Sequence, residues 1–181
     1  MPGLEISSLA VVDIDANRAV HLECEQTPGN LPDNESRIDF YVDQVIRRAK
    51  DLKELADYFV YDGAAAKKKF ADGIVENTEL HLVSKLRRDA NLRYLYTGSR
   101  RPGAGRPQQY DDKIRWNSLE IDRFDTCNED DEIIIHTAVV NSVSLKRNIR
   151  IAYITNSILA KVSVSYKHVI SIDFGSLIRI C

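Results

Sequence analysis

Cysteine is scarce in this 181-residue sequence: Cys24, Cys127 and Cys181 lie far apart and are odd in number. That argues against a disulfide framework and fits a reducing compartment. No Cys-x-x-Cys pair is present, and His21, His81, His136 and His168 are scattered without the spacing of zinc ligands. No apolar stretch approaches the ~20 residues needed to cross a bilayer. The opening MPGLEISSLAVVDID has no basic segment and reaches an acid at Glu5, unlike a signal peptide. Net charge is −2, so the average argues against a nucleic-acid binder. The expectation from these absences is a cytoplasmic protein with no membrane partner.

What is present describes an ordinary globular chain, 44% apolar and 29% charged, long enough to bury a real core. Residues 4–15 are β-rich and residues 18–25 alternate, as strands around the turn Asp15-Ala16-Asn17, which predicts a hairpin. Residues 26–36 are a Pro/Gly/Asn loop. Residues 38–56 follow a helical period, with Tyr41, Val45, Ala49, Leu52 and Ala56 on one face and Ser36 or Asp39 as cap. Residues 58–61 (YFVY) predict a short central strand buried on both sides. Residues 64–77 predict a second helix, with Ala65, Phe70 and Ile74 inward. Residues 79–86 alternate, with Leu80, Leu82 and Leu86 on one face. Residues 97–118 read as a loop rich in Gly, Pro and Arg. Strands are expected at 119–124, 132–140 and 149–154, and the last stretch alternates weakly.

Charge is partitioned along the chain. Residues 1–43 hold nine acids against Arg18 and Arg37, and residues 119–136 hold seven acids against Arg123. Residues 84–116 hold nine bases against Asp89, Asp111 and Asp112, a net of +6. With Tyr94, Tyr96, Tyr110 and Trp116 interleaved, that basic stretch suits a phosphate backbone with bases stacked on rings. It also suits a solvated loop with ordinary surface arginines, and a single tryptophan also suits a core.

The run Tyr58-Phe59-Val60-Tyr61 stops on Asp62, and Lys67, Lys68 and Lys69 follow. An acid at the carboxyl end of a strand lies where open α/β sheets place their sites. Such a carboxylate can hold Mg²⁺, which takes one or two carboxylates plus phosphate oxygens. A lysine in the next turns can meet a phosphate. The same pattern describes a helix N-cap aspartate followed by a solvated lysine face.

The stretch YFVYDGAAAKKKFADGIVENTELHLVSKLRRDANLRYLYTG, followed by GAGRPQQYDDKIRW, resembles the catalytic core of bacterial insertion-sequence transposases of the DDE type. The preceding GLEISSLAVVDIDANRAVHLECEQTP is similar to the strands after that family's first acid, so the resemblance covers residues 3–155. It implies an α/β fold: a partial ribonuclease H-like mixed sheet with flanking helices and a β-rich insertion. The implied division is 1–96 as partial core, 97–155 as basic loop and insertion, and 156–181 as an aberrant or disordered tail. Asp62 corresponds to the family's second catalytic acid and would be a Mg²⁺ ligand. Lys67, Lys85, Arg87, Arg88, Arg93, Arg100, Arg101 and Arg106 would meet DNA. The implied partners are DNA at transposon ends and an intact sister transposase.

The departures shape the expected activity. The family's first acid precedes the GLEISSLA strand, and nothing after Ile154 matches its third. The expectation is a truncated core with one of three acids, a tail altered by frameshift, and no strand cleavage or transfer by this chain alone. The alternatives are a non-catalytic DNA-binding remnant or a pseudogene product. A haloacid dehalogenase-like phosphatase is the rival enzyme, because LAVVDID sets Asp13 and Asp15 one residue apart after an apolar run. That pattern wants Thr or Val where Asn17 stands, and a helix where the hairpin is expected.

Overall fold

The computed structural model describes residues 4–62, 67–87, 89–99, 103, 105–130, 133–156 and 167–172. They form a mixed α/β protein with ten strands and two α-helices among the described residues. The chain divides into two compact units. One comprises residues 1–59 and 69–80, and the other residues 60–68 and 81–181.

The first unit starts with strands β1 (Ile6–Asp13) and β2 (Arg18–Gln26), paired antiparallel from Ile6↔Gln26 to Asp13↔Arg18. The expected hairpin is therefore present. Its turn uses Asn17 at φ 49°, a left-handed position that asparagine tolerates. Asp13 supports the turn by accepting the Ala16 N–H at 3.0 Å.

Helix α1 (Arg37–Leu55) follows. Ser36 is its N-cap, and the Asp39 carboxylate accepts the Ser36 N–H at 2.7 Å and the Ser36 hydroxyl at 2.8 Å. Val42, Val45 and Leu52 are buried, as the helical period requires. Gln44 is buried with them, and its Oε1 accepts the Ser7 hydroxyl of β1.

Helix α2 (Lys68–Asn77) contributes Phe70, Ala71 and Ile74, each no more than 1% exposed. The expected inward residue Ala65 lies outside the described residues. Gly73 lets α2 approach α1 closely, since a Cβ there would come within 2.6 Å of Val42 Cγ1. Lys69 donates to Asp39 at 2.6 Å and ties the two helix starts together.

The remaining strands are β3 (Tyr58–Tyr61), β4 (His81–Lys85), β5 (Leu92–Leu95), β6 (Tyr110–Lys113), β7 (Asp125–Asp130), β8 (Ile133–Ser142), β9 (Arg147–Asn156) and β10 (Lys167–Ile172). Their sheet runs β3-β4-β10-β9-β8-β5-β6, with β7 paired to β8 off this path. Leu82, Leu92, Val140, Ile149 and Ile151 form its tightest core, each no more than 1% exposed.

Several expectations change here. The strand at 58–61 exists, but it ends the sheet order instead of occupying its centre. Tyr58 is 40% exposed and Val60 71%, so the face that carries them is open rather than buried. Residues 97–118 are not all loop, since they contain β6 and a short 3-10 turn at Trp116–Ser118. The strand expected at 119–124 is instead a 3-10 turn at Ile121–Arg123, closed by Phe124 N–H to Ile121 O at 2.8 Å. Of the stretch after 156, residues 167–172 form β10, paired with both β4 and β9. The strands read as an insertion, β8 and β9, belong to the same sheet as β4 and β5. No described helix is long and apolar enough to cross a membrane.

Candidate nucleic-acid interface

Asp62 follows β3 directly and is exposed. Its backbone carbonyl accepts the Ser84 hydroxyl of β4 at 2.9 Å, which fixes the strand exit. Lys67 is exposed just before α2. Among the described residues, no three His, Cys, Asp or Glu side chains gather where they could hold a metal ion. A two-metal phosphoryl-transfer centre needs several carboxylates around one point. The described donor set around Asp62 does not fit that centre.

The other basic residues have different settings. Lys85 ends β4 and is exposed. Arg87 meets Asp89 through two bonds of 3.0 Å, so its charge is offset locally. Arg93 is exposed on β5, between buried Leu92 and Tyr94. Arg106 is exposed ahead of β6. Arg88, Arg100 and Arg101 lie outside the described residues. The structure sets Arg93 directly opposite Lys113 on β6.

Two of the expected stacking rings, Tyr94 and Trp116, pack against the protein's own rings. Tyr94 is only 4% exposed and packs edge-on to Phe124 with centroids 6.3 Å apart. The Arg123 guanidinium covers the Tyr94 ring at 4.5 Å from its centroid. That guanidinium also meets Asp111 at 2.9 Å and Glu120 at 2.7 Å. Asp111 draws the Arg123 pKa still higher, so this cation is fixed and neutralised in place. Tyr94 is therefore a core residue, not a base platform. Trp116 lies 6.4 Å from the Tyr153 ring, and His136 stacks on Tyr153 at 6.0 Å. His136 is buried, with Nδ1 3.0 Å from Thr126 Oγ1, as a core histidine rather than a ligand. Burial pushes its imidazole below the usual 6.5.

Asp13 and Asp15 sit at the end of β1 and in the hairpin turn. A second strand follows them, not the helix a dehalogenase-like site requires.

Strand β9 adds a cation to this surface. Arg150 is half-buried between Ile149 and Ile151, both 1% exposed. It lies outside the basic stretch 84–116, so charge clustering along the chain could not find it. The signal was the strand alternation at 149–154.

No family model, curated protein or solved structure matches the chain at a significant level.

Proposed function

We propose that this chain is a nucleic-acid-binding module related to the catalytic core of DDE transposases, with a ribonuclease H-like sheet, and that it does not cleave or join DNA by itself. The observation that carries the reading is the placement of Asp62. It stands at the carboxyl end of a strand, between β3 and α2, where an α/β site carboxylate belongs. Its resemblance to the family's second acid supports the ancestry, and its exposure with no carboxylate cluster among the described residues supports the lack of cleavage.

DNA at transposon ends is the proposed partner, and an intact sister transposase is the proposed protein partner. Mg²⁺ enters this reading as the metal of the intact family. The proposed location is the cytoplasm.

Incubation with supercoiled plasmid and Mg²⁺ tests the reading. The expected result is DNA binding with no nicked circles, from both the parent chain and Asp62→Ala. Mg²⁺-dependent nicking that disappears in Asp62→Ala would overturn the non-cleaving assignment. Failure to bind DNA at 50 mM salt would overturn the module itself, because electrostatic binding is strongest at low salt.

A further inference from the structure

Four neighbouring strands, β6, β5, β8 and β9, carry a row of cations and amides on one face. Arg93 of β5 lies opposite Lys113 on one side and Asn141 on the other, and Asn141 lies opposite Asn148. Directly opposed residues share a face of the sheet. Val139, two residues from Asn141 and so on the same face, lies opposite Arg150. The alternate residues Leu92, Tyr94, Val140, Ile149 and Ile151 are all buried. On the opposite face Arg93 and Lys113 are exposed and Asn148 and Arg150 half-buried, while Asn141 between them is only 7% exposed.

Among the described residues its charge is uncompensated. Arg37, Arg47, Arg48, Arg87 and Arg123 each meet a carboxylate. Among the described residues, Arg93, Lys113 and Arg150 meet none. Two like charges directly across a strand pair are unfavourable, yet Arg93 and Lys113 stand in that arrangement. An anion laid over them would offset the repulsion. Between the cations, Asn141 Nδ2 donates to Asn148 Oδ1 at 3.1 Å, leaving the Asn148 amide nitrogen able to donate to a ligand.

The spacing selects the ligand. Strands lie about 4.8 Å apart, so the row from β6 to β9 spans about 14 Å. A single phosphate cannot reach across it. A nucleic-acid strand presents several phosphates over that length, so the row can face more than one of them.

We propose that this face, carried by Arg93, Lys113 and Arg150 with the Asn141–Asn148 pair between them, binds a nucleic-acid phosphate backbone without reading sequence. The inference rests on the nucleic-acid reading above, and it shifts the contact from the basic loop to a rigid sheet that includes Arg150.

The test is fluorescence anisotropy of a labelled 20-base-pair duplex with the full chain, titrated between 50 and 200 mM NaCl. Arg93→Gln, Lys113→Gln and Arg150→Gln should each lower the slope of log affinity against log salt by about 1, and the triple variant by about 3. Arg37→Gln, whose parent side chain pairs with Glu5, should leave the slope unchanged. Circular dichroism selects variants that keep the parent fold, and the single substitutions carry the test if the triple variant unfolds. Folded single variants with the parent slope would overturn this face while leaving nucleic-acid binding intact. A parent chain that ignores the duplex at 50 mM salt would overturn both proposals. Binding of poly-glutamate as tightly as duplex would also overturn the face, because it would show no preference for a phosphate backbone.

Discussion

The hairpins β1–β2 and β8–β9 are of similar length, but they place charge on opposite sides. In β1–β2 the covered face carries charge beside buried Leu9, which lies opposite Glu23. Glu23 and Glu25 turn toward α1 and meet Arg48 and Arg47, while Ile6, Val12, Val20 and Leu22 are 42–65% exposed. Arg47 also draws the Glu25 carboxyl below its usual range. In β8–β9 the covered face is apolar, with Val140, Ile149 and Ile151 at no more than 1% exposed, and Arg150 lies on the other face. The difference shows that a basic residue becomes informative only once its partner is known. Arg47 and Arg48 hold a helix to a hairpin. Arg150 holds nothing among the described residues, which leaves its charge for a ligand.

The sharpest way to break this comparison is to truncate one apolar residue in each hairpin. Ile151→Ala should cost about 2–5 kcal/mol, because it removes a close-packed side chain and leaves a cavity. Val20→Ala should stay within about 0.5 kcal/mol, since Val20 is 60% exposed. Urea unfolding of both variants measures the contrast. Equal losses would mean that the outer face of β1–β2 is covered in solution, and the comparison would collapse.

The same two regions show what could be read beforehand. Alternation revealed β2 and β4, and β-rich composition revealed β1, β8 and β9. Helix α1 was legible from its helical period, although Gln44 in its buried face was not. A polar residue can occupy such a face when Ser7 supplies a hydrogen bond. Strand β5 was missed because LRYL has only two inward residues, Leu92 and Tyr94, too few to establish a period. Strand β6, YDDK, has no apolar alternation, and its place depends on pairing with β5. LEIDRF looked like a strand because Leu119, Ile121 and Phe124 are closely spaced, but the backbone closes on itself there. For the candidate surface, the excess of positive charge was visible and its compensation was not. Arg87–Asp89 could be guessed from proximity in sequence, whereas the Arg93–Lys113 opposition depends on strand register.

A smaller effect is expected where the two helices of the first unit meet. Lys69, followed by the two Ser36 donors, holds the Asp39 carboxyl down to about 2, against 3.8 for the free side chain. The unfolded chain takes up this proton first as pH falls. The contribution is therefore complete above pH 3.8 and is lost as pH falls through about 2. Lys69 is 56% exposed, so water screens the pair and brings its worth to about 1 kcal/mol. Asp39→Asn should lower stability by about that amount at pH 7 and flatten the acid limb between pH 4 and 2. A variant that keeps the parent's acid limb would assign that limb to other carboxylates. Because the pair lies in the first unit, the substitution should also leave the duplex salt slope unchanged.

The smallest effect should come from His136 in β8. Its imidazole packs against Tyr153 and meets Thr126, and burial disfavours the protonated ring. In the unfolded chain the same group protonates near 6.5. As pH falls past that value the unfolded state gains the proton first, so stability declines until the folded ring also titrates. Above pH 6.5 both states are neutral and the effect vanishes. Melting temperatures at pH 7.5 and 5.5 should therefore differ in the parent chain and differ less in His136→Gln. This acid sensitivity should leave the β1–β2 hairpin's ion pairs intact, because its cause is desolvation in the sheet and not loss of a carboxylate. An unchanged gap in the variant would place the mild-acid sensitivity outside β8 and remove this distinction between the two hairpins.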